Sequence, residues 1–470
     1  MINLKLKNGQ IVTLTPSSDD NFIFKLIDDS QVVQLVVNKV DNKFEWNDKK
    51  NIDEDDDVLR QKLDNLYVIL ENENIIGIEN EDDQSGSDPF DPDEISINTK
   101  PFTMDACLRR LIQGTILLNP NFQRKEVWTM DKKSRLIESL MLKIPIPMFY
   151  VSGDEKGTLT VVDGLQRFST IRDFVLGKKY LETKKEEDKG DGFRLQDLEF
   201  WKEYEGDNFR GLPTHIVNRI LESEFTFTII NPTTPEEVRR NIFKRINTGG
   251  LPLSSQEIRN ALYIGAATTL LNKLAELKEF KQATDYSIKD QRMEDKELIL
   301  RFISFLVRRP ISFSKVVSVD TWLSDTMIIV NAVPNLDTRE LKKQTSKKGA
   351  TIDLETIVPL SIDSIEKSFI LGMNRAYKLF GNHAFRKSYP GKRRTPINKS
   401  LFETWGVLLS EINAKQFETL YKNKLIMMAD YEKLINDFDF VIIISRDSMK
   451  PTSIKKRFDI INNLIQTYSK

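Results

Sequence analysis

The chain has 470 residues, with one cysteine and two histidines. A single cysteine, Cys107, permits no intrachain disulfide, and two distant histidines exclude a Cys/His zinc site, an HExxH helix and an HNH-type nuclease of ordinary composition. No apolar run reaches the roughly 18 residues needed to cross a membrane, and the N-terminus lacks a signal-peptide core. We therefore expect a soluble, cytoplasmic protein.

Charge is distributed unevenly along the chain. The net charge is −1, but residues 1–95 carry 9 basic and 23 acidic side chains, whereas residues 96–470 carry 60 basic and 47 acidic ones. A basic body predicts a polyanionic partner. The acidic head could lie on that basic surface as a DNA mimic or lid, or its charge could serve only solvation.

Alternation of apolar and polar residues predicts a small β-rich domain over residues 1–78. Asn8-Gly9 separates the first two alternating runs, which is typical of a hairpin turn. Residues 79–98 are predicted to be an acidic linker, because they combine carboxylates with Gly, Ser and Pro.

From residue 103 onward, helices alternate with short strands and then dominate. A capping box is predicted at Ser254 and Glu257, and another at Thr234–Glu237 opens a helix that runs to about residue 247. A polar, Lys-rich stretch predicts a mobile loop at 337–352. The main elements expected before residue 266 are helices at 103–114, 131–142 and 165–176 and extended segments at 115–118, 148–151, 158–162 and 225–230.

The sharpest candidate site is the strand-to-helix turn in TLTVVDGLQRFSTIRDF, residues 158–174. Helix N-termini carry unpaired N–H groups and partial positive charge, so phosphate binds there readily. Gly164 permits close backbone approach, and Arg167 can contact phosphate through two N–H groups. Asp163 could hold Mg²⁺, or the segment could be a plain turn in which Asp163 caps the helix. Three further polar candidates follow: Gln166, Ser169 and Thr170.

A second candidate segment is NPNFQR, residues 119–124. It follows a predicted strand, so Gln123 and Arg124 could face the same pocket as the turn. Trp128 is better explained as a core residue than as a base-stacking platform.

A third candidate segment is FKRINTGGLPLSSQEIRNALY, residues 243–263. Asn247 or Lys244 could border the ligand pocket, or the Gly249-Gly250 pair could be only a hinge between helices. Arg240 and Lys244 share a helix face and could instead contact a nucleic-acid backbone.

A basic loop, HAFRKSYPGKRRTP, spans residues 383–396. Its basic side chains could bind phosphates or simply be solvated. The basic candidates are Arg386, Lys387, Lys392, Arg393 and Arg394.

Four motifs in order resemble one known family: FQRKEVW, RLIESLMLKIPIPMFY, VVDGLQRFSTI and FKRINTGGLPLSSQEIRNAL. They are similar to the N-terminal domain of GmrSD-type, modification-dependent restriction enzymes, which is related to the ParB/sulfiredoxin fold. The resemblance covers roughly residues 100–265 and extends loosely to about 410. The family signature usually reads DGQQR, and here Leu165 stands at its third position.

The resemblance implies an α+β fold and a nucleotide site. The expected organisation is the β-rich domain, the acidic linker, a ParB-like nucleotide-binding core at 99–265 and a mostly helical domain at 266–470. The family associates the DGQQR segment with nucleotide binding or hydrolysis. By motif, this role passes to Asp163, Gly164, Gln166 and Arg167, together with Gln123 and Arg124.

Three functions remain open from the sequence. The first is an NTP-binding, NTP-hydrolysing component of a restriction or anti-phage system that uses Mg²⁺, contacts DNA and relies on a separate nuclease or defence subunit. The second is a ParB-like DNA-binding switch that binds NTP without turnover. The third is an intrinsic metal-dependent nuclease that uses Asp163. A homo-oligomer is compatible with each, and the absence of a His-rich C-terminal segment argues against an appended HNH-like nuclease.

Overall fold

In a computed structural model the chain adopts an α+β fold, which confirms the predicted class. A small N-terminal sheet, a second sheet with flanking helices and a mostly helical C-terminal region follow one another along the chain. The structure describes residues 2–18, 23–28, 32–40, 43–46, 48–49, 51–79, 96–118, 128–234, 238–240, 242–243, 254–289, 292–315, 318–333 and 352–470.

The N-terminal sheet is an antiparallel meander in which each strand pairs with the next. The predicted hairpin at Asn8-Gly9 is present: Lys5 pairs with Ile11, and Gly9 adopts a φ of +82°, which glycine allows without strain. Its strands are β1 (Ile2–Lys5), β2 (Ile11–Ser18), β3 (Ile23–Ile27), β4 (Val33–Val40) and β5 (Lys43–Trp46).

A long helix, α1 (Asp56–Ile76), packs on this sheet and was not predicted from the sequence. Its buried Leu59, Leu63 and Tyr67 join the sheet residues in one apolar cluster, and the Tyr67 ring meets Phe44 edge-on at 5.2 Å. The spacing of these residues on one helical face explains why the helix forms against the sheet.

The second sheet has the strand order β6-β10-β8-β9-β7. Its central strand β8 runs parallel to β10 and antiparallel to β9, and β7 runs parallel to β9. The strands are β6 (Ile97–Thr103), β7 (Ile116–Leu117), β8 (Phe149–Gly153), β9 (Leu159–Asp163) and β10 (Glu224–Ile230).

Helices cover this sheet and share its core. Phe149 of β8 stacks on Phe227 of β10 at 5.2 Å and meets Phe168 edge-on at 5.8 Å. The aromatic cluster fixes the position of the helix that carries Phe168 relative to β8. The helices are α2 (Met104–Ile112), α3 (Met130–Met141), α4 (Leu165–Val175), α5 (Lys178–Thr183), α6 (Thr214–Leu221) and α7 (Ser255–Leu262).

The C-terminal region is helical and has its own apolar core. The predicted capping box at the start of α7 is present, because Ser254 accepts from the Glu257 N–H and the Glu257 carboxylate accepts from the Ser254 N–H. The helices that follow are α8 (Ala266–Glu276), α9 (Lys278–Ala283), α10 (Glu294–Val307), α11 (Val319–Ala332), α12 (Ile362–Phe380), α13 (Lys399–Glu411), α14 (Ala414–Lys422), α15 (Lys424–Ile435), α16 (Phe438–Ile444) and α17 (Pro451–Tyr468).

Buried ion pairs join several of these helices. Glu297 of α10 accepts from Arg259 of α7 at 3.2 Å and from Lys399 of α13 at 2.9 Å. Glu403 of α13 pairs with Arg457 of α17. Helices α7, α10, α13 and α17 are therefore linked by charged contacts inside the fold.

The chain leaving α1 docks on the C-terminal region. Ile78 forms a parallel bridge with Ile397, and the Glu79 N–H donates to the Ile397 carbonyl at 2.9 Å. The buried Glu79 carboxylate accepts from Asn398 at 2.9 Å and pairs with Lys387 at 2.9 Å. The first residue of the predicted linker is thus held in the fold, whereas linker residues 80–95 lie outside the described residues.

Candidate nucleotide site

The turn between β9 and α4 is built around Gly164. This residue has a φ of +94°, and a Cβ there would lie 2.3 Å from a carbon of the Phe149 ring, so the position requires glycine. Gly164 is the N-cap residue of α4, and no side chain caps the helix. Asp163 therefore does not act as the helix cap, and the first-turn N–H groups remain directed at the turn.

Arg167 crosses this turn from the first turn of α4. Its guanidinium donates to the Asp163 carboxylate at 3.1 Å, to the Met148 carbonyl at 3.3 Å and to the Pro147 carbonyl. It also lies over the Phe149 ring, 4.8 Å from the centroid. Burial lowers the pKa of Arg167, and Asp163 opposes that shift, so the guanidinium keeps its charge.

Asp163 and Gln166 provide the accessible polar groups at the turn. Only one carboxylate oxygen of Asp163 is bonded to Arg167, and the side chain is partly exposed. The Gln166 side chain is also partly exposed and makes no hydrogen bond within the described part of the chain. A single carboxylate is enough to bind Mg²⁺ in a protein when the phosphates of a bound nucleotide supply further oxygen ligands.

Ser169 and Thr170 lie on the buried side of α4. The Thr170 hydroxyl donates to the Gln166 carbonyl at 2.8 Å, within the helix. Their placement supports the packing of α4, and neither hydroxyl lies in the first turn with Gly164 and Arg167.

The sequence did not predict that the extended segment before β8 supplies hydrogen-bond acceptors to the turn between β9 and α4. The carbonyls of Pro147 and Met148 accept from Arg167, and Tyr150 pairs with Asp163 across the sheet. A proline pair marks this segment as extended, but the sequence gives no sign that its carbonyls bind an arginine 20 residues away.

A second missed residue is Arg239. Its guanidinium donates to the Ser152 hydroxyl at 3.4 Å and to the carbonyls of Pro232 and Thr234 at 3.4 and 3.2 Å. Arg239 thus ties the segment after β10 to the end of β8. The sequence pattern pointed instead to the neighbouring Arg240, because its spacing from Lys244 predicts that the two share a helix face.

Several predicted site residues lie outside the described residues: Gln123, Arg124, Lys244 and Asn247. The second predicted capping box also falls partly there, as does the predicted loop up to residue 351. Their predicted roles remain predictions.

Two of the predicted DNA contacts are buried, and this placement corrects their assignment. Arg240 donates to the Tyr263 hydroxyl at 3.0 Å and pairs with Asp320 at 3.4 Å. Arg386 donates to the Thr284 carbonyl at 3.1 Å and the Ser287 hydroxyl at 2.7 Å. Both guanidiniums stabilise the interior of the fold, because their N–H groups are directed at protein oxygens.

The rest of the basic loop is more accessible. Lys387 is engaged with Glu79, as described above. Arg394 pairs with Asp285, and Lys392, Arg393 and Arg394 are exposed. The loop therefore presents fewer cations to a partner than its sequence indicates.

One comparison with known protein families matches the region around the turn. Residues 108–264 match the family described as GmrSD restriction endonuclease, N-terminal domain. The predicted resemblance is confirmed over this part of the chain. The GmrSD N-terminal region includes β7 to β10 and the whole Asp163–Arg167 turn.

The GmrSD match indicates a restriction-related component and favours an interaction with DNA. No curated protein matches the chain. Among the described helices, none combines the length and apolarity needed to span a bilayer. The described residues also hold no group of three or more His, Cys, Asp or Glu side chains placed to bind a metal.

Proposed function

We propose that this chain is an NTP-binding and NTP-hydrolysing component of a DNA-directed restriction or anti-phage system. The observation that carries the proposal is the Gly164 turn, where a helix N-terminus without a side-chain cap stands beside Arg167, Asp163 and Gln166. Such an arrangement is suited to phosphate, because backbone N–H groups and the helix dipole both favour negative charge.

In this proposal each residue at the turn has a distinct role. The N–H groups of the first α4 turn would bind phosphate oxygens, and Gly164 leaves room for their approach. The Asp163 oxygen not bonded to Arg167 would hold Mg²⁺, which supplies charge neutralisation on the phosphates. Gln166 would orient a water molecule or a phosphate oxygen. Arg167, held by two carbonyls, would fix the turn and add positive charge.

The second candidate, a switch without turnover, uses the same contacts and differs only in phosphate release. An intrinsic two-metal nuclease is less favoured by the geometry, because such sites need several ligands. Within the described residues the turn offers one carboxylate, Asp163, and no larger acidic cluster accompanies it. A separate subunit is therefore proposed to cut DNA.

The test is equilibrium binding and phosphate release with each of the four NTPs and Mg²⁺, with and without DNA. Gln166→Ala is the sharpest variant, because the side chain makes no hydrogen bond in the described part of the chain and its loss should leave the fold intact. We expect NTP affinity or turnover to fall by about tenfold or more, as for loss of a hydrogen bond to a charged group.

Arg172→Ala is the matched control, because Arg172 lies at the other end of α4 and pairs with Asp173 at 2.6 Å. It should bind NTP as the wild type does. Binding without phosphate release would establish the switch. Absence of NTP binding by the wild type, or equal loss in both variants, would refute the proposal.

A further inference from the structure

An exposed apolar patch lies where α14 meets α15. Tyr421 is 49% exposed, Leu425 85% and Ile426 64%. We call these three residues the Leu425 patch. Large apolar side chains clustered at this exposure are typical of a surface that binds another protein.

Lysines border the Leu425 patch. The Lys424 ammonium lies 5.7 Å from the Tyr421 ring centroid and donates to the Lys378 carbonyl at 2.9 Å, which joins α15 to the end of α12. The side chains of Lys378 and Lys422 are exposed and make no ion pair in the described part of the chain. Glu418 is the exposed carboxylate one turn before Lys422, so cations predominate around the patch.

The acidic head carries a surface of complementary character at the start of α1. Asp55 and Asp57 are exposed, and neither carboxylate is ion-paired in the described part of the chain. Val58 beside them is 41% exposed. Asp56 between them pairs with Lys49, and the Asp55 carboxylate accepts from the Asp57 N–H at 2.9 Å. The segment Asp55–Val58 therefore offers the charges of Asp55 and Asp57 next to an exposed apolar side chain, within a head whose net charge is strongly negative.

We infer that the Leu425 patch binds the Asp55–Val58 segment of a second copy of this chain. Within one chain the patch is uncovered, so its own head does not occupy it. Docking between copies would bury Val58 against Leu425 and Ile426 and place Asp55 and Asp57 among the lysines. Because each copy offers both surfaces, a two-fold dimer makes the contact twice.

The first test is sedimentation equilibrium of the full chain without nucleotide or DNA, so its outcome is independent of the proposed NTP site. We expect a monomer–dimer equilibrium that weakens as salt is raised, since charged contacts are screened. Leu425→Ser with Ile426→Ser should raise the dissociation constant by about tenfold or more. Phe200→Ser is the matched control, because Phe200 is 65% exposed on the GmrSD N-terminal region, and it should leave the constant unchanged.

Charge reversal identifies the occupant. Lys422→Glu and Asp57→Lys should each weaken the dimer. Mixing the two variants should restore association, because the mixed dimer has one contact in which both charges are reversed and one contact that is wild type. A monomer at all concentrations overturns the inference. So does a dimer that is insensitive to the patch variants, or one that depends on the patch but not on Asp57, because a different surface would then occupy the patch.

Discussion

Gly164→Ala should distort the candidate nucleotide site by a clash that the structure specifies. The new Cβ would lie 2.3 and 2.7 Å from two carbons of the Phe149 ring. That ring is fully buried among Phe168, Phe225 and Phe227, so it has no space to move. A left-handed φ costs an alanine about 1 kcal/mol, and overpacking adds about 1–3 kcal/mol. We therefore expect Gly164→Ala to lower the local stability of the turn by about 3 kcal/mol in total.

Gly157→Ala is the matched control for this prediction. Gly157 has a φ of +81° in the turn between β8 and β9, but nothing lies within 4 Å of its added Cβ. It should therefore cost only the conformational part, about 1 kcal/mol. The difference of about 2 kcal/mol corresponds to about 30-fold in the local opening constant.

Amide hydrogen exchange over residues 149–175 measures this difference directly, because it reports local opening even when a chain of several cores does not unfold in one step. Equal protection in the two alanine variants would show that the turn tolerates a Cβ, and the close approach of Phe149 to Gly164 would be refuted.

Three buried carboxylates give the remaining predictions. Burial opposes ionisation of Glu138, but hydrogen bonds from the N–H groups of residues 199, 200 and 201 outweigh it and hold the pKa of Glu138 below its usual value. Glu138→Gln should therefore lower the free energy of unfolding by about 1–3 kcal/mol near neutral pH. A lowered pKa stabilises the fold at pH values above the unfolded pKa of about 4.3. The difference in unfolding free energy between the wild type and Glu138→Gln, measured by urea titration, should therefore shrink as the pH falls below about 4. A difference that stays constant with pH would contradict this role of Glu138. Glu403→Gln removes the negative charge that pairs with two buried arginines, Arg301 and Arg457, and should lower stability by about 3–5 kcal/mol in thermal denaturation, whereas an unchanged midpoint would show that this charge is dispensable. Glu79→Gln should speed amide exchange at the Ile78–Ile397 bridge, because Lys387 loses its ion pair, and unaltered exchange would show that the bridge does not depend on this charge.

Local signals predicted the elements around the candidate site well. The Asp163-Gly164 pair, the β-branched run before it and the apolar spacing after it define β9 and α4 without tertiary information. The capping box at Ser254 was equally visible, because both partners lie within one turn. By contrast, α1 was missed because its many acidic and amide residues hide an apolar face that only packing on the first sheet makes evident.

The site itself was predictable only in part. The DGLQR motif located the turn, but the Pro147 and Met148 carbonyls that hold Arg167 come from a segment distant in sequence. For Arg240 and Arg386 the sequence predicted a contact with nucleic acid, but the structure places both side chains in the interior. A run of basic residues looks the same whether an arginine faces solvent or donates to buried oxygens, and the fold decides between these.

The most direct test of the candidate nucleotide site is NTP binding and phosphate release by the wild type, Gln166→Ala and Arg172→Ala proteins, assayed in parallel with Mg²⁺. We expect the wild type and Arg172→Ala to bind and hydrolyse an NTP alike, and Gln166→Ala to be impaired by about tenfold or more. Wild-type protein that binds none of the four NTPs, with or without DNA, would contradict the assignment of the Gly164 turn as a nucleotide site.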